Sequence, residues 1–310
     1  MTPDSNDPKA TYRRLNTDFY AADPADYFHV RWLALMLLAG RPDDALSLFG
    51  EGIAFGHVYA KLENSQSDAE GVRDFATMES QVLFHQACET LLRLYLAHVG
   101  RPPCPWLDMA GETSFAQFKE RVRNEIIAAD VTSDVAEVFL GGSKVAFDGL
   151  GDDEWTDAIR NLTAFLRTFA ARWLDEAHAY NSLKHGLAVL PSAVQLSFAQ
   201  EGESLEQART LGEGPSLDFL ECTPWGRDNR RSWKRTTTWI DVSESLAFTD
   251  VARNMIGSLW EIARLRYTDG ERSGRIFLPC DLQPSRLRSP DRPPGRRWSM
   301  SIGLDEVRSR

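Results

Sequence analysis

The sequence predicts a mainly α-helical protein with a small antiparallel β insertion placed before its last long helix, and three observations predict it. Two long segments, residues 70–99 and 152–185, carry apolar side chains at steps of three and four. A third such segment spans residues 243–266. Between the second and third, after Pro191, the texture changes to short alternating runs rich in β-branched and aromatic residues, separated by Gly- and Pro-bearing turns.

Taken in chain order, residues 1–25 are polar and proline-punctuated and read as a flexible terminus. An N-terminal helical extension follows over residues 26–69: "ADYFHVRWLALMLLAG" is stopped by Gly40, Arg41 and Pro42, and a second helix starts near "DDALSLF". The main bundle spans residues 70–266. In residues 70–99, Phe84, Ala87, Cys88, Leu91, Leu94, Tyr95 and Val99 form a stripe that Leu83, Leu92 and Leu96 widen. A helix apolar around so much of its circumference is central and contacted on several sides. "GRPPCPW" ends it, because proline cannot continue a helix. Shorter helical patches follow at "SFAQFKERVRNEII" and at "TSDVAEVFL", the latter capped by Thr132 or Ser133.

The second long helix, residues 152–185, carries Trp155, Ala158, Leu162, Phe165, Leu166, Phe169, Trp173, Ala177 and Tyr180 on one stripe. Its expected partner is the helix of residues 70–99. The β insertion, at about residues 193–240, is read as three short strands, "VQLSFAQ", "SLDFLEC" and "RSWKRTTTWI". Residues 267–310, rich in proline and arginine, read as a basic extended tail.

Composition excludes several classes of function. The chain has 310 residues, of which 43% are hydrophobic, enough to bury a substantial core. Its formal charge of -10 repels polyanions, so any contact with nucleic acid rests on a local basic patch. Cys88, Cys104, Cys222 and Cys280 form no CxxC pair, which argues against a zinc ribbon or a secreted disulfide framework. The longest apolar run, "WLALMLLAG", is too short to span a bilayer, and the start "MTPDSNDPKA" lacks a basic n-region. A cytoplasmic protein without membrane contact is the expectation. There is no P-loop, no Rossmann glycine pattern and no G-x-S-x-G element.

One polar knot interrupts the apolar stripe near the end of the second long helix. If that helix persists, His178, Asn181 and His185 fall within roughly 60° of one another, at spacings of three and four. Histidine exchanges a proton near neutral pH, and an amide four residues earlier can orient it or hold a substrate oxygen. The plain alternative is a helix terminus ending before Gly186. Lys184 falls near the stripe centre, an unusual place for a charge unless it snorkels past Tyr180 or the helix breaks there.

"LFHQACETLLRLYLAHVG" at residues 83–100, followed by "YNSLKHG" at residues 180–186 and a closing apolar helix, resembles the HEPN superfamily of helical bundles. Members share glutamine and glutamate before a leucine-rich run, here Gln86 and Glu89, and a later motif of arginine, a polar residue, a short gap and histidine. The resemblance implies a HEPN-like bundle over residues 70–266, a dimeric assembly, and RNA or a nucleotide as ligand, in a defence or toxin-antitoxin setting. In active members the motif cleaves RNA without metal, the histidine assisting proton transfer and the arginine stabilising phosphoryl charge. Matched residue by residue, Asn181 takes the polar position and His185 that of the histidine, while Tyr180 stands at the arginine position and supplies no fixed cation. Lys184 is the candidate replacement for that charge. A literal match also exists at "RWLDEAH", although on a continuous helix Arg172 and His178 lie about 120° apart. The implied character is therefore a degenerate, non-cleaving module.

A second constellation is "PWGRDNRRSWKR", with five basic residues, one acid and two tryptophans. Arg227, Arg230, Arg231, Lys234 and Arg235 can track phosphates while Trp225 or Trp233 stacks a base. The same charges on a hairpin also serve solubility and guard a sheet edge. His85 and Glu89, at i and i+4, are spaced for a metal, but the repeated Glu-x-x-His pattern of di-iron bundles is absent, and no metal or cofactor is expected. Three readings stand: an RNA- or nucleotide-binding module, a protein-interaction module with no nucleic-acid role, and a metal-independent ribonuclease.

Overall fold

The structure is a computed structural model and describes residues 7–61, 69–112, 114–144, 150–184, 189–193, 196–198, 209–225, 230–268, 275–288 and 297–302. It is mainly helical, with small antiparallel sheets. Among the described residues no helix is long and apolar enough to cross a membrane. The chain divides into two compact units: residues 1–32, 85–175 and 247–288 form the first, and residues 33–84, 176–246 and 289–310 form the second.

The first unit is a helical bundle. Its long members are the C-terminal part of α4 (Ala69–His98), α8 (Asp152–Asp175) and most of α10 (Val242–Tyr267). The stripe read along residues 152–175 is the one buried: Leu162, Phe165, Leu166, Phe169 and Trp173 are closed to solvent, as are Leu91, Leu92, Phe248, Met255 and Leu259. Phe169 meets Phe248 edge-on at 5.9 Å, and Phe118 meets Trp173 in the same way at 4.9 Å, the geometry that aromatic quadrupoles favour. Shorter helices α5 (Pro105–Gly111), α6 (Phe115–Arg121) and α7 (Thr132–Leu140) complete the unit, with a π-helical stretch at Val122–Ile127. The N-cap position of α7 is Val131, not Thr132 or Ser133, and makes no side-chain bond; Asp130, one residue earlier, accepts from the backbone N–H and the hydroxyl of Thr132. Gly141 ends that helix in the left-handed region, and the N–H of Gly142 reaches back to the carbonyl of Ala136.

The terminus read as flexible and part of the tail read as extended make defined contacts in this unit. Residues 8–19 form helix α1 (Pro8–Phe19). Its signal was Asp7–Pro8: an N-cap aspartate accepts from the N–H of Lys9 while proline occupies the first turn. Phe19 stacks on Trp106 at 5.4 Å and Tyr20 lies edge-on to Trp260 at 4.9 Å, so the helix end is buried among aromatics. In the tail, Asn161 donates to the carbonyls of Pro279 (2.7 Å) and Cys280 (2.9 Å), and Ser258 accepts from the N–H of Phe277 at 2.6 Å.

The second unit holds the rest of α2 (Pro24–Gly40), the start of α4, α3 (Pro42–Glu51), α9 (Ala177–Lys184) and three sheets. A hairpin that sequence reading passed over pairs β1 (Ile53–Phe55) with β2 (Val58–Ala60). Its signal was the alternation of "IAFGHVYA" around a two-residue turn in which Gly56 has a positive φ. The largest sheet has the order β3-β6-β7-β8, all antiparallel: β3 (Val189–Ala193), β6 (Pro215–Trp225), β7 (Arg230–Trp239) and β8 (Arg297–Ile302). A separate hairpin pairs β4 (Leu196–Phe198) with β5 (Arg209–Gly212). The β region is thus larger than three short strands, and it recruits its fourth strand from the proline- and arginine-rich tail.

The helix expected over residues 152–185 is interrupted at Glu176. The cause is a change of core. The stripe of α8 ends at Trp173 in the first unit, whereas Ala179 and Leu183 of α9 pack in the second unit on a cluster of Val189, Leu217, Phe219 and Ile240.

Candidate functional site

Helix α9 roofs the inner face of the four-stranded sheet, packing on β3 and β6. This packing decides where the polar knot sits. Tyr180 is buried, Asn181 is half-buried, and Lys184 is exposed at the last residue of the helix. The exposure of Lys184 fits both outcomes that its place on the stripe allowed. His185 lies outside the described residues. The ring of His178 lies against Phe219, with centroids 5.7 Å apart, and the hydroxyl of Ser182 donates to its carbonyl at 3.0 Å. Of the literal motif match, Arg172 belongs to the first unit, where its guanidinium sits over the Phe248 ring, and His178 belongs to the second.

The other residues that the HEPN resemblance singled out are engaged with arginines in the first unit. Gln86 accepts from Arg31. Glu89 pairs with Arg93, which also lies over the Phe118 ring and reaches Glu112, itself bonded to Arg121. Among the described residues no group of three His, Cys, Asp or Glu side chains is placed to hold a metal ion.

The basic constellation forms the β6-β7 hairpin. Arg227 lies outside the described residues; Arg230 and Arg231 are positions of β7 opposite Trp225 and Pro224. Trp233 faces Cys222 across the strands, Lys234 faces Glu221, and Arg235 faces Leu220. Directly opposed residues of an antiparallel pair share a face, so Lys234 is on the inner side and Trp233 and Arg235 are on the outer. Arg235 and Arg297, the latter brought beside the hairpin by β8, are already neutralised. Arg235 donates from Nε (3.1 Å) and from its terminal nitrogen to one oxygen of the buried Asp218, whose other oxygen accepts from the Thr237 hydroxyl at 2.6 Å. Arg297 pairs with Glu221 on the inner side and lies over the Phe219 ring.

The outer face has two halves. At one end it is closed: Trp239 is buried against Gly212, where a Cβ would collide with the indole. At the other end it is open and apolar. Leu190 is 64% exposed, Leu220 53%, Met300 47% and Trp298 36%, with Trp233 half-buried and the Cys222 thiol exposed. The Arg235–Asp218 pair lies on the same face. Solvated sheet faces ordinarily present polar residues, so large apolar side chains at such exposure make this half a candidate contact surface. Sequence reasoning found Trp233 and Arg235 but missed Asp218, Leu190, Leu220, Trp298 and Met300. The alternation of Trp298, Met300 and Ile302 with Ser299 and Ser301 was the available signal for β8.

The first unit contains groups of perturbed acidity that do not form a site. His98 is closed to solvent; its Nδ1–H donates to the Leu94 carbonyl at 2.6 Å and its Nε2 accepts from the Tyr20 hydroxyl at 2.7 Å. Burial holds the imidazole down to about 4 and pushes the Tyr20 phenol far up, so both stay neutral. A fully bonded, solvent-closed pair is structural. Two grooves also open in this unit, one of about 550 Å³ along Trp155, Ile159, Arg160, Thr163 and Arg167, the other of about 490 Å³ beside Asp23, Arg253 and Glu261. Three of their cations are occupied: Arg160 pairs with Asp157, Arg167 donates to the Ala129 carbonyl, and Arg253 pairs with Asp250.

The chain matches no protein-family profile, no curated protein and no solved structure.

Proposed function

We propose that this chain is a protein-interaction module, a HEPN-like helical protein without cleavage activity, that presents the outer face of its four-stranded sheet to a protein partner. The observation supporting this reading is the open apolar half of that face, formed by Leu190, Leu220, Trp298 and Met300. Burying such side chains contributes about 25 cal/mol for each Å² of apolar surface removed from water, and this burial is the main driving force in most protein association. For a phosphate backbone, Arg235 on that face already has a carboxylate partner, and the formal charge of the chain is -10. A cleavage step draws no support from α9, where Tyr180, at the position of the motif arginine, is buried.

Leu220→Glu combined with Met300→Glu tests the reading. Both side chains point to solvent, so the fold survives, and a partner captured stoichiometrically by the wild type should be lost, with capture insensitive to ribonuclease. Capture unchanged by the double substitution would remove this face from the function.

RNA binding is the second reading, favoured by Trp233 and Trp298, two indoles on one sheet face with Arg235 between their rows. Sheets that bind single-stranded RNA stack bases on such rings. Under this reading, binding of single-stranded RNA weakens when Trp298 becomes Ala, and replacing Arg230, Arg231 and Arg235 lowers its dependence on salt. No salt-dependent binding, or an unchanged slope, rejects it.

A further inference from the structure

We propose that two copies of this chain join along the outer edge of β8 by antiparallel strand pairing about a two-fold axis. The inference goes beyond the interaction reading above: edge pairing leaves Leu190 and Leu220 open and makes one continuous surface of the two outer faces.

The two edges of the sheet are treated differently. At one edge stands β3, which contains Pro191, a residue that cannot donate to a ladder and is a common guard of sheet edges. At the other stands β8, "RWSMSI", which among the described residues pairs with β7 alone. Natural edge strands are protected by proline, lysine, inward-pointing charge, bulges or covering loops. Apart from the inner-side charge of Arg297, none of these devices is seen at β8 among the described residues: Arg297 to Ser301 are exposed, and the strand contains no proline, lysine or acid. Its single charge, Arg297, is consumed by Glu221 of the same chain.

The charge pattern selects the occupant. Two-fold pairing sets each residue against itself or a near neighbour, so a self-pairing edge must be free of unbalanced charge, since like charges directly opposed repel. The edge of β8 meets that condition. A two-fold perpendicular to the sheet keeps the faces in register. Ser299 then meets Ser299 of the second copy and continues a hydroxyl row begun by its 2.9 Å bond to Thr236, while Trp298 meets the second copy's Met300 on the open apolar face. The product is one eight-stranded sheet on which the exposed rows of the two copies become continuous.

Sedimentation velocity of the full chain across concentration is the primary measurement, and a reversible monomer–dimer equilibrium is expected. Ser299→Lys sets two ammonium groups against each other at the axis and should raise the dimer dissociation constant by about tenfold or more, with the circular dichroism spectrum retained. Ser299→Cys in a Cys222→Ser background gives an independent test: mild oxidation should link two chains, while the Cys222→Ser parent stays unlinked. A chain that is monomeric at every concentration, or a dimer indifferent to Ser299→Lys and unlinked through position 299, overturns the proposal. If the wild type stays monomeric while a different protein is captured in a Leu220-dependent way, the interaction reading stands and self-pairing falls; if neither occurs, both fall.

Discussion

Lowering the pH from 7.5 to 4 should destabilise the first unit through His98, by an amount that the structure fixes. The imidazole is closed to solvent and its titration is pushed from the usual 6.5 to about 4, chiefly by burial, with the Arg266 cation adding to the effect and the bond to the Leu94 carbonyl opposing it. An unfolded chain takes up a proton near 6.5 that the folded chain refuses until about 4. Stability is therefore complete above pH 6.5 and falls as the pH drops through that window. At 1.36 kcal/mol for each pH unit of difference, integration gives a loss of about 3 kcal/mol by pH 4. Carboxylates that titrate in the same range are cancelled by comparison with Tyr20→Phe/His98→Phe. This double variant removes donor and acceptor together, so no orphaned polar group remains. Urea unfolding at half-unit pH steps provides the assay. The wild type should lose about 3 kcal/mol more than the variant between pH 7.5 and 4, and equal slopes for the two proteins would refute the assignment of His98 as a buried, neutral acceptor.

Four further outcomes follow from the same contacts. Tyr20→Phe alone leaves the His98 Nε2 lone pair buried without a donor, and should cost about 1–3 kcal/mol at pH 7 in urea unfolding. Phe169→Ala empties a fully buried position against Phe165 and Phe248, and should cost about 3–5 kcal/mol by the same measurement. Asn161→Ala removes both donor bonds that hold the chain at residues 279–280, and limited proteolysis should then cut within residues 275–288 faster than in the wild type. Gly212→Ala sets a methyl group against the Trp239 ring, and should show as red-shifted tryptophan emission together with a lower melting temperature.

The long apolar stripes were legible because a helical period repeated over many residues leaves little choice: the positions read along residues 152–173 are the ones closed to solvent. The interruption at Glu176 was not legible. No proline or glycine marks it, and it exists because consecutive turns face different cores, which only the tertiary fold decides. Helix α1 was missed by giving polarity more weight than the Asp7–Pro8 start signal, and β8 by reading a basic tail as a composition where a period of two was present. Of the candidate site, Trp233 and Arg235 were visible as residue types, but the neutralisation of Arg235 was not. That depends on Asp218, two rows away across the hairpin and brought there by register. His185, the residue the motif placed at the centre of the chemistry, lies outside the described residues, and its role rests on the resemblance alone.

The four-stranded sheet draws its last member from far along the chain: 57 residues, including all of α10, separate Trp239 at the end of β7 from Arg297 at the start of β8. During synthesis the hairpin of β6 and β7 is therefore complete well before its neighbour leaves the ribosome, and for that interval β7 is itself a bare flank. Any binding surface that includes Trp298 and Met300 comes into being only after residue 302 has emerged.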